Sequence, residues 1–123
     1  MANEKKYDIY DRAIEFAARA ALFVNKLPQT QTAIVYGRQL IESSSSIGAN
    51  IEEADGTLTK KDFINKLGIS RRESRESRYW LRLIGKVRLV FEHQDLEELE
   101  CLIGEATELL LILSSIINKT KKG

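Results

Sequence analysis

The chain has 123 residues, the size of one domain, and its 43% hydrophobic and 30% charged content suits one buried core under a solvated surface, which excludes disordered, collagen-like and disulfide-built chains. Seven glycines and a single proline leave too little punctuation for a many-turned β-sandwich or barrel, so an all-α fold is expected. The formal net charge of +1 conceals segregation: residues 60–88 carry ten Lys/Arg against three acids, whereas 92–108 carry seven acids and neither Lys nor Arg.

Four segments have helical periodicity. The first is predicted over about 7–26, with Ile9, Ala13, Phe16, Ala20, Phe23 and Leu27 on one stripe and Tyr10, Ile14, Ala17, Ala21 and Val24 on the next. Two apolar stripes imply burial against two neighbours. Pro28 ends this helix, and the Thr-bearing run Gln29–Thr32 offers the cap of a second, over about 31–54, because a hydroxyl satisfies the free amides of a helix start. Asp55-Gly56 closes it. Thr59-Lys60-Lys61-Asp62 has capping-box spacing and opens a third helix over about 60–89. The fourth, over about 95–119, begins with the acidic Asp95-Leu96-Glu97-Glu98 and ends among Lys119, Lys121 and Lys122, the charge order the helix dipole favours.

On the fourth helix Leu99, Ile103, Ala106, Leu110, Leu113 and Ile117 recur at alternating spacings of four and three, the seam of left-handed helix packing. Leu102, Leu109, Ile112 and Ile116 form a second flank, expected to be left over for a contact between subunits. The middle helices put small hydroxyl residues where leucine is usual: Ser44 and Ser45 on the second, beside Gly37, Ile41 and Gly48, and Ser70, Ser74 and Ser77 on the third. This predicts close approach of two backbones, each hydroxyl bonding the carbonyl one turn back. Short connections between long helices make an up-down-up-down antiparallel four-helix bundle, one domain over residues 1–123, the simplest topology.

The longest apolar runs, such as Leu109–Leu113, fall far short of the roughly 20 residues that span a bilayer, and the first seven residues lack the apolar core of a signal peptide. With one cysteine, Cys101, no internal disulfide is possible, and the cytoplasm is the expected compartment. Cys101, at a helical position without a second cysteine nearby, reads as a buried or half-buried inert thiol. A bundle di-iron site needs a Glu-x-x-His pair on each of two helices, and His93 is the sole histidine, so no metal and no cofactor are expected. Glu52, Glu53 and Asp55 oppose the dipole at the end of the second helix, which suggests a basic partner more than acid–base catalysis. An enzyme would have to be built from Asn50, the serines and Glu52/Glu53; a non-enzymatic role is the expectation.

The sharpest constellation is cationic. Arg71, Arg75, Arg78 and Arg82 are spaced four, three and four, so they form one stripe on the third helix, continued by Lys86 and flanked by Arg72 and Arg88. Either the ridge is solvated and salt-bridged, using Glu73, Glu76 and the acidic start of the fourth helix, or it contacts phosphates, for which the guanidinium fork suits bidentate oxygen contacts. Tyr79 and Trp80 interleave with it, and Trp80 is assigned to the core or to a subunit contact.

The stretches from Ser45 to Ala54 and from Ser70 to Leu83 resemble the two signature segments of the bacterial four-helix-bundle family, also called the 23S rRNA intervening-sequence protein or S23 ribosomal protein family. The likeness places Ser46, Ile47, Asn50, Ile51 and Glu52 in the first signature and Glu73, Glu76 and Leu81 in the second; Glu53-Ala54-Asp55-Gly56 departs mildly from the commoner Ala-Glu-Gly run. It covers nearly the whole chain and implies a cytosolic homopentamer. A related branch, the accessory variability determinant of diversity-generating retroelements, forms a strongly basic ring that binds nucleic acid and a reverse transcriptase, from which this near-neutral chain departs. The expectation is a homo-oligomeric module that binds structured RNA, or a protein associated with RNA, through Arg71, Arg72, Arg75, Arg78, Arg82, Lys86 and Arg88; its rival is a purely protein–protein adaptor whose ridge pairs with the acidic helix of a neighbouring subunit.

Overall fold

The computed structural model describes residues 4–123, with side chains from residue 9 onward; the side chains of the first seven residues, read above for a signal peptide, lie outside the described ones. Four helices follow one another: α1 (Glu4–Val24), α2 (Gln31–Asp55), α3 (Lys60–Lys86) and α4 (His93–Lys122). Consecutive helices pack side by side and α4 closes the ring on α1, with no packing across the diagonal among the described residues. Every seam is antiparallel, giving the up-down-up-down four-helix bundle. Ala13 meets Gly48 and Val24 meets Gly37 between α1 and α2, while Leu99 meets Gly85 between α4 and α3.

The predicted caps form. Thr30 and Thr59 are extended residues whose Oγ1 atoms accept from the amides of Ala33 at 3.2 Å and Asp62 at 3.1 Å. Other helix ends differ from expectation. Three residues expected in α3 fall outside it, because Arg88 takes φ 58° and turns the chain. The amide of Arg88 donates to the Gly85 carbonyl and that of Leu89 to the Ile84 carbonyl, a Schellman closure with arginine in the left-handed position where glycine is usual. α4 starts two residues earlier than expected, with Glu92 at its cap position and no side-chain cap bond.

The core matches the main stripes. Ile9, Ala13, Phe16, Ala20, Phe23 and Leu27 are buried, as are Leu99, Ala106, Leu113 and Ile117. Ile14, assigned to the second stripe of α1, is exposed. The second flank of α4 is not left over: Leu102 and Leu109 are fully buried and Ile112 and Ile116 pack against the core, because α4 lies between α1 and α3 and buries a wide arc. The apolar side chains that remain exposed are elsewhere, notably Ile14 and Leu22 on α1 and Ile34 and Ile41 on α2.

The α2–α3 seam is lined by serine, with one shift of phase. Ser43 and Ser44 are buried and Ser45 is exposed. Ser43, Ser44 and Ser74 bond carbonyls of their own helix, as expected for buried serine. The two others cross the seam instead: Ser70 Oγ donates to the Ile47 carbonyl of α2 at 2.7 Å, and Ser77 Oγ donates to Ser43 Oγ at 2.9 Å. A hydroxyl that reaches a carbonyl of the facing helix requires the two backbones to lie close.

Candidate nucleic-acid interface

The spacing of Arg71, Arg75, Arg78 and Arg82 puts them on one side of α3, and the structure places that side along the α4 edge. Arg78 Nη1 donates to Thr107 Oγ1 at 3.4 Å, which orients the stripe. Arg75 and Arg82 are exposed and Arg71 and Arg78 half-buried; Lys86 is exposed at the last turn of α3, where a cation suits the dipole. Arg72 is exposed and 3.8 Å from Glu73, a loose pair of small energetic consequence. Arg88 is exposed but lies beyond the helix, in the left-handed turn. Thus the structure groups Arg71, Arg75, Arg78, Arg82 and Lys86, with Arg72 to one side and Arg88 displaced onto the loop.

What the acids of α4 do decides how to read the ridge. Arg12 Nε and Nη2 donate to the two carboxylate oxygens of Glu105 at 2.8 Å each, and Arg19 makes the same fork with Glu98 at 3.0 and 2.7 Å. Lys26, just past the end of α1, reaches Asp95 at 3.5 Å. Three cations seven residues apart therefore engage three carboxylates of α4 in antiparallel register, and the bidentate geometry suits arginine. Asp95 and Glu98, in the acidic start of α4 considered above as a counter-ion for α3, and Glu105 further along engage Lys26 and α1 instead. Among the described residues Arg71, Arg75, Arg78, Arg82, Lys86 and Arg88 form no ion pair. Sequence reasoning misses this ladder, although the seven-residue spacings of 12, 19 and 26 and of 98 and 105 are a signal that could find it.

Beside the ridge lies an aromatic chain. Trp80 is half-buried against the core and tilts onto Tyr36 of α2 with ring centroids 5.6 Å apart, while Tyr79 stands T-shaped to Trp80 at 5.2 Å and remains 58% exposed. Glu73, half-buried near this face, has its pKa raised, first by burial and then by the charge of Glu76, with Arg72 pulling the other way.

The remaining candidates scatter. His93 is exposed and 3.6 Å from Glu97. Cys101 is exposed rather than buried, because it falls on the outer side of α4 between the α1 and α3 contacts. Asn50 Nδ2 donates to the Ser46 carbonyl at 2.8 Å within α2. Glu52 and Asp55 act on Tyr10, whose pKa is raised by burial and then by Asp55; the basic partner expected for this cluster is not found among the described residues.

Residues 5–115 match the family described as 23S rRNA-intervening sequence protein. The chain belongs to this family. A crystal structure of a protein of unknown function from the S23 ribosomal protein family of Bacteroides thetaiotaomicron is 36% identical, covers 89% of this chain and 97% of its own, and superposes with a TM-score of 0.79. Comparison with curated proteins gave no match. The signature residues of the family resemblance divide by task in this member. Ile47, Ile51 and Leu81 are buried on α2 and α3, Ser46 and Asn50 share a hydrogen bond, and Glu52 and Glu76 face solvent.

Proposed function

We propose that the protein is a non-enzymatic, homo-oligomeric module of the cytoplasm that binds structured RNA through the cationic side of α3. The observation that carries this reading is the ridge itself: five cations over four turns of one helix, without carboxylate partners among the described residues, while Asp95, Glu98 and Glu105 of the neighbouring α4 are engaged by Lys26 and α1. Guanidinium groups left unpaired in a row suit a polyanion, whose phosphates recur along a strand. The family description refers to an intervening sequence of 23S rRNA and that of the solved relative to a ribosomal protein; both are RNA contexts and support RNA over other polyanions. Self-association draws on a different face, where Ile34 and Ile41 of α2 border a groove of about 480 Å³ with Val24, Leu27 and Pro28. Five copies is the number the family resemblance implies, and a ring would repeat the ridge around the assembly.

The test is binding of a mixed-sequence RNA hairpin by fluorescence anisotropy across a salt series, with light scattering for the oligomer. Replacing Arg71 and Arg75 together by Gln removes two charges per subunit at little cost in helix propensity. Binding should weaken, and the slope of log K against log salt should flatten by roughly 0.7–0.9 for each phosphate that is no longer neutralised, with the oligomer unchanged. If the double variant binds like the parent, the ridge is not the site. If it dissociates into smaller species, these arginines hold subunits together and the adaptor reading replaces this one.

A further inference from the structure

Resting on the reading of α3 as an RNA surface, we propose that Tyr79 is a stacking platform for an unpaired base, with Arg82 and Lys86 holding the neighbouring phosphates. Unpaired segments of RNA, rather than continuous duplex, are then the substrate class. Tyr79, Arg82, Leu83 and Lys86 recur at i, i+3, i+4 and i+7 and line one shallow concavity of about 380 Å³ on α3. Core packing does not account for Tyr79: its ring is more than half exposed, and among the described residues its one aromatic contact is with Trp80. That contact does bear on recognition. In a T-shaped pair only an edge meets a face, so at least one face of the Tyr79 ring stays uncovered by Trp80. Trp80 is itself held against Tyr36 and the core, so the platform is braced through three rings from α2 to the surface. A braced ring loses little freedom when a base lies on it, which is how aromatic side chains bind single strands.

The cations complete the site. Arg82 and Lys86 lie one helical turn apart, about 6 Å of rise, on the same side as Tyr79. Leu83 adds an apolar side chain to the same lining. A strand whose base is turned toward the ring therefore has its backbone alongside two positive charges. Duplex RNA does not satisfy this arrangement, because its base faces are covered by their neighbours and its deep major groove is too narrow for side chains to read. Loops, bulges and single-stranded ends do present such faces.

The experiment compares a fluorescein-labelled oligoadenylate with a blunt, fully paired RNA duplex of the same length, using anisotropy for affinity. Emission from Trp80, the only tryptophan of the chain, reports events beside Tyr79. The parent should bind the oligoadenylate more tightly than the duplex, with a change in Trp80 emission that the duplex does not produce. Tyr79→Ala should weaken oligoadenylate binding roughly 5- to 150-fold at fixed salt, leave duplex binding and the salt slope unchanged, and be rescued by Tyr79→Phe. Tyr79→Leu keeps bulk at this exposed position without a π-face and should behave like Tyr79→Ala; circular dichroism confirms that each variant is folded. Oligoadenylate binding by the two non-aromatic variants at parental affinity overturns the stacking site, and if Arg71→Gln/Arg75→Gln still weakens binding, the ridge reading survives alone. Equal loss for both RNAs assigns Tyr79 to structure and also overturns the proposal. If the parent binds neither RNA, the RNA reading of the ridge falls and this inference falls with it.

Discussion

Enlarging Ser74 is the most direct test of the α2–α3 seam. Its side chain is fully buried and its hydroxyl bonds the Ser70 carbonyl at 3.1 Å, within its own helix. One turn to either side, Ser70 and Ser77 reach α2 with a single atom beyond Cβ. Leucine adds two heavy atoms to serine in a space bridged by those contacts, so Ser74→Leu should overpack the seam and destabilise the fold by about 1–3 kcal/mol. Ser74→Ala removes a local hydrogen bond worth about 1 kcal/mol net, and the better helix propensity of alanine returns about half of that, leaving a loss of ~0.5 kcal/mol or less. Ser70→Ala breaks the crossing bond and should fall between the two. Urea unfolding at one fixed protein concentration measures all three, since self-association makes apparent stability depend on concentration. A neutral Ser74→Leu would refute close approach. Equal damage from Ser74→Ala and Ser74→Leu would show that the hydroxyl, not the available space, matters at this position.

Two further outcomes follow from local chemistry. Glu73 has a folded-state pKa raised above its ordinary 4.5, so the folded chain holds this proton more tightly than the unfolded one; the resulting destabilisation is absent well below pH 4.5 and sets in as pH rises through the raised value. Glu73→Gln should therefore be more stable than the parent at pH 7 and lose that advantage at about pH 3.5, and an equal gain at both pH values would contradict the assignment. Arg88 occupies a left-handed conformation at φ 58° that costs a non-glycine residue about 1–2 kcal/mol, partly balanced by the greater unfolded freedom of glycine. Arg88→Gly should raise stability by ~0.5–1 kcal/mol in thermal or urea unfolding, and a loss would mean that the arginine side chain stabilises the turn by more than the strain.

The elements that can be read from sequence are those whose signal is local and periodic. The Phe16 and Leu113 stripes each repeat over several turns, which sets the phase of a helix without knowledge of its neighbour. The serine run 43–46 gives no such phase, since four like residues look the same from every side, and the burial of Ser43 in place of Ser45 emerges only when α3 is laid against α2. Arg88 carries no cue for a left-handed turn, so periodicity alone carries α3 three residues too far. The ridge is legible because a stripe on one helix needs only spacing. Which helix neutralises Glu98 and Glu105 is not, because that depends on the order in which four helices close around the core, and both α1 and α3 offer arginines.

The α1–α4 ladder also bears on how the chain reaches its native state. The crossing bonds of the serine seam join residues 23 and 34 positions apart, whereas the Arg12–Glu105 and Arg19–Glu98 pairs join residues 93 and 79 apart. Loop-closure entropy rises with that separation, so the central α2–α3 hairpin is placed to form early, and joining the first helix to the last completes the bundle. The charges then act on register at the final step: both forks and the Lys26–Asp95 contact form together at the native offset, whereas a slip by one seven-residue repeat would pair Arg19 with Glu105 and leave Arg12 opposite Ile112.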